Sequence, residues 1–283
     1  MTIAEAEKYF INELTSIYPH HEVKSLFFYW ISSRIGYSKT EMILQKDIQL
    51  TPAQKKDLVT TINRLKQYEP IQYILEETIF CDLPFRVKKG VLIPRPETEE
   101  LVKHIITQFS RSKNLNILDI GTGSGCIAVS LAKHLDASVY ATDISSYALS
   151  IASKNAEMNN VAVNFVQSDI LTEKLTVLDK FNMIVSNPPY VLTSEKKAMA
   201  ANVINYEPGK ALFVPDEDPL IFFRKIVENA KNMLAPNGQL FFEINEKQGK
   251  NIQNLLVENN FTNIVLWQDI HGKDRFIKGC YGE

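Results

Sequence analysis

The sequence predicts an α/β protein: a mostly parallel sheet covered by helices on both faces, preceded by a small helical bundle and a β-hairpin linker. Three observations carry this expectation. From Leu101 onward, short strand-like runs alternate with helical stretches, which is the pattern of a parallel sheet. Before about residue 75 the apolar residues recur at helical spacing. Between about residues 76 and 95 the character changes to two short extended runs separated by turns. The expected organisation is therefore a helical region over 1–75, read either as a substrate-docking domain or as a stabilising appendage, a hairpin linker over 76–95 and the α/β domain over 96–283.

In the first region Phe10, Leu14 and Ile17, with Tyr18, fall on one helical face, as do Leu58, Ile62 and Leu65. Thr51-Pro52-Ala53-Gln54 supplies a capping hydroxyl, a proline at the first helical position and a Gln where a capping box needs one. In the linker, Thr78-Ile79-Phe80 and Phe85-Arg86-Val87 read as the two strands, and Lys89-Gly90 as a further turn. In Ile93-Pro94-Arg95-Pro96-Glu97-Thr98-Glu99-Glu100 the prolines enforce extended backbone and the acids favour the first turn of the next helix. The α/β region then reads as a helix to about 110, strand Leu115–Ile120, helix about 124–135, strand Ser138–Asp143 and helix 145–159. Strands Ala162–Gln167 and Phe181–Ser186, helix 219–234, strand Gln239–Ile244 and helix 246–258 follow. Two closing strands, near 263–268 and 275–280, are joined through His271-Gly272 and suggest an antiparallel edge pair.

Composition narrows the function class. A chain of 283 residues can bury a sizeable core, and 45% hydrophobic with 23% charged residues is ordinary for a globular protein. Apolar runs such as Leu26 to Ile31 and Gly238 to Ile244 are too short to span a bilayer, and the N-terminus lacks the basic region of a secretory signal. Cys81, Cys126 and Cys280 form no CxxC pair and the five histidines show no metal-ligand spacing, so reduced thiols, no metal site and a cytoplasmic location are expected. The net charge of −2, without a concentrated basic stripe, argues against a protein that lives by phosphate contacts.

The chemistry starts at Asn116-Ile117-Leu118-Asp119-Ile120-Gly121-Thr122-Gly123-Ser124-Gly125, a strand running into a glycine loop at a helix start. Glycines let the backbone turn sharply and let a ligand approach, and the helix N-terminus presents N–H groups. The spacing is G-x-G-x-G, with Cys126 where the dinucleotide fingerprint has its third glycine. Asp119 before the loop suits a ligand with a positive amino acid end better than a pyrophosphate. Asp143 closes the next strand, where a carboxylate can accept from both ribose hydroxyls; the alternative is an N-cap for the helix at Ser145. Asp169-Ile170 follows the third strand, in reach of an adenine edge, or as a simple turn. Together these positions describe a nucleoside cofactor laid across adjacent strand ends, and S-adenosyl-L-methionine fits better than NAD.

Asn187-Pro188-Pro189-Tyr190 closes the fourth strand. Both prolines have a fixed φ and no N–H, and each holds the preceding residue extended. The Asn187 side-chain oxygen and the Pro188 carbonyl are thus stiffly held acceptors for both hydrogens of a planar –NH2 group, and Tyr190 offers a flat face to the attached π-system. Methylation of an amide-like nitrogen needs this alignment rather than a strong base. A proline-rich strand terminator is the plainer reading of the tetrapeptide taken alone.

The chain resembles the N5-glutamine methyltransferases of peptide chain release factors (HemK/PrmC). The likeness rests on ILDIGTGSG, Asp143, VSNPPY, the upstream LIPRPETEE and the later Tyr206-Glu207-Pro208, and runs from about Glu69 onward. NPPY alone is shared with adenine-N6 methyltransferases; the combination is specific. The resemblance implies a class I, Rossmann-like methyltransferase with a seven-stranded, mostly parallel sheet whose final strand is antiparallel. It implies methyl transfer from S-adenosyl-L-methionine to the glutamine of a Gly-Gly-Gln motif in class 1 release factors. On it, Gly121, Thr122, Gly123, Ser124, Gly125 and Asp143 hold the cofactor, aided by Asn187, and Asp169 and Ile170 flank the adenine. Asn187, Pro188, Pro189 and Tyr190 grip the substrate amide, with Asn187, Pro188 and Tyr190 at the chemistry. The protein is expected to act as a monomer, with no direct nucleic-acid or membrane contact. Glu76 and Asn245 stand where relatives usually have glycine, which leaves the start of the hairpin and a position near the sheet end open to a different shape.

The competing expectation is an exocyclic-amine methyltransferase acting on adenine or another nucleic-acid base, since that –NH2 poses the same problem. It requires a base-flipping pocket and a cationic surface. A binding module without turnover and an NAD-dependent oxidoreductase are disfavoured, the first by the intact motifs and the second by the glycine spacing.

Overall fold

The computed structural model describes residues 1–173 and 180–282. Two compact units emerge: Met1–Glu77 with Ala200–Tyr206, and Thr78–Met199 with Glu207–Glu283. The first is helical, with α1 (Ile3–Leu14), α2 (His20–Ile35), α3 (Lys39–Leu44), α4 (Pro52–Leu65) and α5 (Ile71–Leu75). Phe10, Leu14, Phe27, Trp30, Leu58, Ile62 and Leu65 form its core. The Thr51–Gln54 capping box is present, with Pro52 at the helix start, and Thr2–Glu5 and Ser38–Glu41 repeat the device on α1 and α3. Tyr18, at the edge of the predicted apolar face, donates its hydroxyl to the Leu65 carbonyl at 2.8 Å. Tyr206, although distant in sequence, donates to the Gln67 carbonyl at 2.8 Å within this same unit.

α5 ends at Glu76, which adopts the left-handed conformation with φ 62°. A left-handed helix cap is the position where glycine avoids a Cβ clash, so Glu76 takes up a conformation that glycine adopts more easily. The hairpin follows as β1 (Glu77–Phe80) and β2 (Leu83–Arg86), joined by Cys81 and Asp82 at φ 49° and 60°. Positive φ at both central residues is the geometry of a tight hairpin turn whose twist matches its strands.

The second unit continues with α6 (Pro96–Phe109), β3 (Leu115–Ile120), α7 (Cys126–His134), β4 (Ala137–Asp143), α8 (Ser146–Met158), β5 (Asn164–Gln167) and β6 (Phe181–Ser186). A two-residue strand β7 (Val191–Leu192) precedes α9, the Ala201–Tyr206 helix of the first unit, and pairs in parallel with β8 (Phe213–Val214). Then come α10 (Ile221–Met233), β9 (Leu234–Glu243), α11 (Gly249–Glu258), β10 (Phe261–Gln268) and β11 (Asp274–Tyr281). The main sheet has seven strands in the order β10-β11-β9-β6-β3-β4-β5. Only the final strand, β11, runs against its neighbours. The expected closing pair is thus antiparallel, but β10 alone forms the edge and β11 lies inside the sheet, between β10 and β9.

Both faces of the sheet are buried, which is why its strands read as near-continuous apolar runs. Ile117, Met183, Val185, Phe241 and Phe276 face one core with α6 and α7. Their neighbours Leu118, Ile184, Leu240, Phe242 and Ile277 face the other with α10 and α11. Period-two alternation along each strand sends successive side chains to opposite layers.

Candidate active site

The strand order places β4 and β5 on one side of β3, and β6 and β9 on the other. Their junction between β3 and β6 is a topological switch point, where open α/β sheets bind ligands at the carboxyl ends of the strands. Ile120, the last residue of β3, is in register with Ser186, the last of β6. The glycine loop and the Asn187–Tyr190 turn therefore leave the sheet side by side. Ser186 reinforces the junction by donating its hydroxyl to the Ile120 carbonyl at 2.7 Å.

Gly121, Gly123 and Gly125 all have positive φ, at 77°, 56° and 82°. A Cβ at Gly121 or Gly123 would meet nothing within 4 Å, so these two leave open space above the backbone. Gly125 has the opposite reason to be glycine: its Cβ would lie 2.9 Å from the Cβ of Ala152 on α8. Asn155, fully buried on α8, exchanges hydrogen bonds with the Arg86 backbone of the hairpin and donates to the Ser124 carbonyl at 2.8 Å. The loop is thus clamped from beneath and open above.

Asp119 is fully buried. Its Oδ2 accepts from the Thr122 hydroxyl at 2.6 Å and the Ala128 N–H at 3.2 Å, while its Oδ1 is buried with no protein partner. Burial pushes its carboxyl up to about 7, against the pull of those two donors. Asp143 does not cap α8; Ser145 does, accepting from the Ala148 N–H. Asp143 instead accepts from the Gly123 N–H and the Ser145 N–H, both at 2.9 Å, one on each carboxylate oxygen. It ties the end of β4 to the glycine loop, and each oxygen keeps a lone pair. Asp169 forms a turn after β5: its Oδ1 accepts from the Leu171 N–H at 2.9 Å, and Ile170 packs against the sheet core.

Asn187, Pro188, Pro189 and Tyr190 follow β6 beside a cleft of about 40 Å³ that Asn187, Pro188 and Tyr190 share with Leu92, Arg95 and Leu212. Three residues outside the predicted site set hold it. Thr98, buried in the first turn of α6, accepts from the Asn187 side-chain amide at 3.0 Å and donates to Glu243 at 2.5 Å. Glu243, the buried last residue of β9, also accepts from the Tyr190 hydroxyl at 2.9 Å. Burial raises the Glu243 carboxyl despite these donors, and burial followed by the Glu243 charge raises the Tyr190 phenol. Glu207, its side chain 2% exposed, accepts from Arg95 at 2.7 Å and from the Ile93 N–H at 3.2 Å. Glu207 therefore braces from behind the segment whose Leu92 and Arg95 line the cleft.

Comparisons with known proteins identify the chain's relatives. Residues 96–212 match the family described as methyltransferase small domain, and residues 11–75 match the PrmC N-terminal domain. The release factor glutamine methyltransferase of Flavobacterium psychrophilum is 48% identical, over 98% of this chain and 99% of that one. The protein of the same name from Bacteroides thetaiotaomicron is 45% identical, over 95% of this chain and 96% of that one. This chain belongs to the release factor glutamine methyltransferase family.

A methyltransferase of known structure from Pyrococcus furiosus shares the fold, with a TM-score of 0.53 at 18% identity over 82% of this chain and all of that one. Against the family pattern, Asn245 fits without a left-handed backbone: its Oδ1 accepts from the Lys247 N–H at 3.0 Å and closes a short turn before α11. Thr98 and Glu243 carried sequence signals, a lone hydroxyl among the acids of IPRPETEE and a lone carboxylate ending the apolar strand LFFE. Neither signal says that the two side chains meet. Among the described residues, no group of three or more His, Cys, Asp or Glu could hold a metal, and no helix is long and apolar enough to cross a membrane.

Proposed function

We propose that this protein transfers a methyl group from S-adenosyl-L-methionine to the side-chain amide nitrogen, N5, of the glutamine in the Gly-Gly-Gln motif of class 1 peptide chain release factors, and so supports translation termination. The observation that carries this reading is the commitment of the Asn187 amide. Its –NH2 faces Thr98, which leaves Oδ1 to accept from a substrate –NH2 together with the stiffly held Pro188 carbonyl. A cleft of about 40 Å³, lined by Asn187, Pro188 and Tyr190, suits a slender side chain.

S-adenosyl-L-methionine is the cofactor, and the residues of the glycine loop fit it. The unpartnered Asp119 Oδ1 suits an ammonium, Gly121 and Gly123 leave room for close approach, and Asp143 retains acceptor capacity for ribose hydroxyls. The Asp169-Ile170 turn lies beyond the next strand, where it would flank the base. When bound, the cofactor supplies a sulfonium methyl that the amide nitrogen attacks, with the C–S electron pair returning to sulfur. The chain's part is to align that nitrogen and to accept its hydrogens as positive charge develops, so that the proton leaves a nitrogen made acidic by alkylation.

The 1–75 region would dock the release factor and the 96–283 region would carry the chemistry, with the hairpin as linker. We place the protein in the cytoplasm, acting as a monomer on protein rather than nucleic acid, a reading supported by its net charge of −2. The test offers labelled cofactor with a release factor, total tRNA and DNA in parallel, and maps the label by mass spectrometry. Label on the glutamine of Gly-Gly-Gln is expected; label confined to nucleic acid overturns the proposal.

A further inference from the structure

Glu243 is a buried carboxylate that forms no ion pair with a basic side chain among the described residues. Arg275 spends its Nε on Asp269 and its Nη1 on the Ile244 carbonyl, and acts on Glu243 through its field. Glu97 adds a weaker opposing charge. Burying such a group is costly unless its oxygens are hydrogen-bonded, and here both are, each by one hydroxyl. Those two hydroxyls lead to the two side chains of the Asn187–Tyr190 turn.

We infer that Glu243 is a positioning residue for methyl transfer, acting through Thr98 to fix which end of the Asn187 amide faces the substrate, and through Tyr190 to hold its ring. The argument is one of donor counting, and it rests on the reading of Asn187 as acceptor for the substrate amide. Thr98 has a single hydroxyl hydrogen. While Glu243 is ionised it can only accept, so Thr98 gives that hydrogen to Glu243 and turns a lone pair to Asn187. Asn187 must then present its –NH2 to Thr98 and its Oδ1 to the cleft. If Glu243 gains a proton or becomes an amide, Thr98 is released to donate to Asn187, and the amide is free to reverse. A reversed Asn187 offers hydrogens to the –NH2 end of the substrate amide, which has only hydrogens to give. The same carboxylate anchors the Tyr190 hydroxyl at 2.9 Å, so one buried charge sets both the acceptor and the stacking surface.

The test compares single-turnover methylation of a release factor by wild type, Thr98→Val, Thr98→Ser, Glu243→Gln and Asn187→Ala, with folding checked by circular dichroism. Thr98→Val keeps the shape and removes the relay; kcat is expected to fall by about tenfold to a hundredfold with cofactor affinity unchanged, and Thr98→Ser to restore it. Adding Thr98→Val to Asn187→Ala should cause no further loss, since the relay has nothing left to orient. The wild-type kcat should decline as pH falls through the ionisation of Glu243, and Glu243→Gln should be slow and lack that limb. Wild-type kcat in Thr98→Val, or losses that add in the double variant, overturns the inference while a slow Asn187→Ala keeps the reading of Asn187. A wild-type rate in Asn187→Ala removes that reading itself.

Discussion

The Ser186 hydroxyl donates to the Ile120 carbonyl across 2.7 Å, joining the last residue of the strand that leads into the Asn187 turn to the last residue of the strand that leads into the glycine loop. Both residues are buried. This bond sits where the glycine loop and the Asn187–Tyr190 turn diverge, and on the proposed reading it bears on the distance between methyl donor and acceptor nitrogen. Ser186→Ala should lower stability by about 1 kcal/mol, and kcat by more than that loss suggests, because small misplacements are costly to in-line transfer. Denaturant titration and single-turnover kinetics on the same preparation separate the two; a wild-type kcat at reduced stability would make the bond purely structural.

Asp119 ties stability to pH in a definite direction. Its folded pKa, about 7, lies above the 3.8 of an ordinary aspartate, so between those values the unfolded chain holds fewer protons and stability falls as pH rises. The full window corresponds to about 4 kcal/mol, and Asp119→Asn should flatten that part of the profile in cofactor-free protein. A cation at Oδ1 favours the carboxylate, so cofactor affinity should rise from about pH 5.5 to 7 in wild type and stay level in Asp119→Asn. Calorimetry across that range decides it; parallel profiles would remove Asp119 from the cofactor site.

Asp143 carries two duties in this geometry. Asp143→Ala removes the acceptor for the Gly123 and Ser145 N–H groups as well as any contact to ribose. It should weaken S-adenosyl-L-methionine binding by at least tenfold and also lower stability by about 1–3 kcal/mol. Unchanged affinity with reduced stability would return the residue to a purely structural role in the loop.

The Arg95–Glu207 pair should be asymmetric. Glu207 is almost wholly buried while Arg95 is 30% exposed, so removing the arginine strands a buried carboxylate. Arg95→Met should cost about 2–3 kcal/mol, discounted from the fully buried case for the exposure of Arg95. Glu207→Gln in that background should recover part of the loss. Equal effects of the two single variants, with no recovery, would argue against the pair as the element holding this wall of the cleft.

Much of this was legible in the sequence. The alternation after Leu101, the glycine spacing and the two prolines each constrain backbone locally, so strands, loop and turn could be placed within a few residues of where they stand. Thr51-Pro52-Ala53-Gln54 is a complete cap because every atom it needs lies within one turn. Small differences arose where pairing decides: β9 begins at Leu234, earlier than its apolar pattern, because Leu234 pairs with Phe181 across an irregular register. The Ala201–Tyr206 helix clusters with the N-terminal bundle, which nothing local foretells.

What the sequence determined by itself is therefore the local chemistry: a capping box at Thr51–Gln54, a glycine loop after β3, a stiff pair of acceptors after β6. Tertiary structure alone decided which distant groups complete them. Thr98, Asn187, Tyr190 and Glu243 come from α6, from the turn after β6 and from the end of β9, and they meet only because a parallel sheet brings its carboxyl ends to one edge. Hydrogen-bond partners separated by 145 residues, as Thr98 and Glu243 are, leave no periodic trace in the chain. The direction in which Asn187 presents its amide is a property of that meeting.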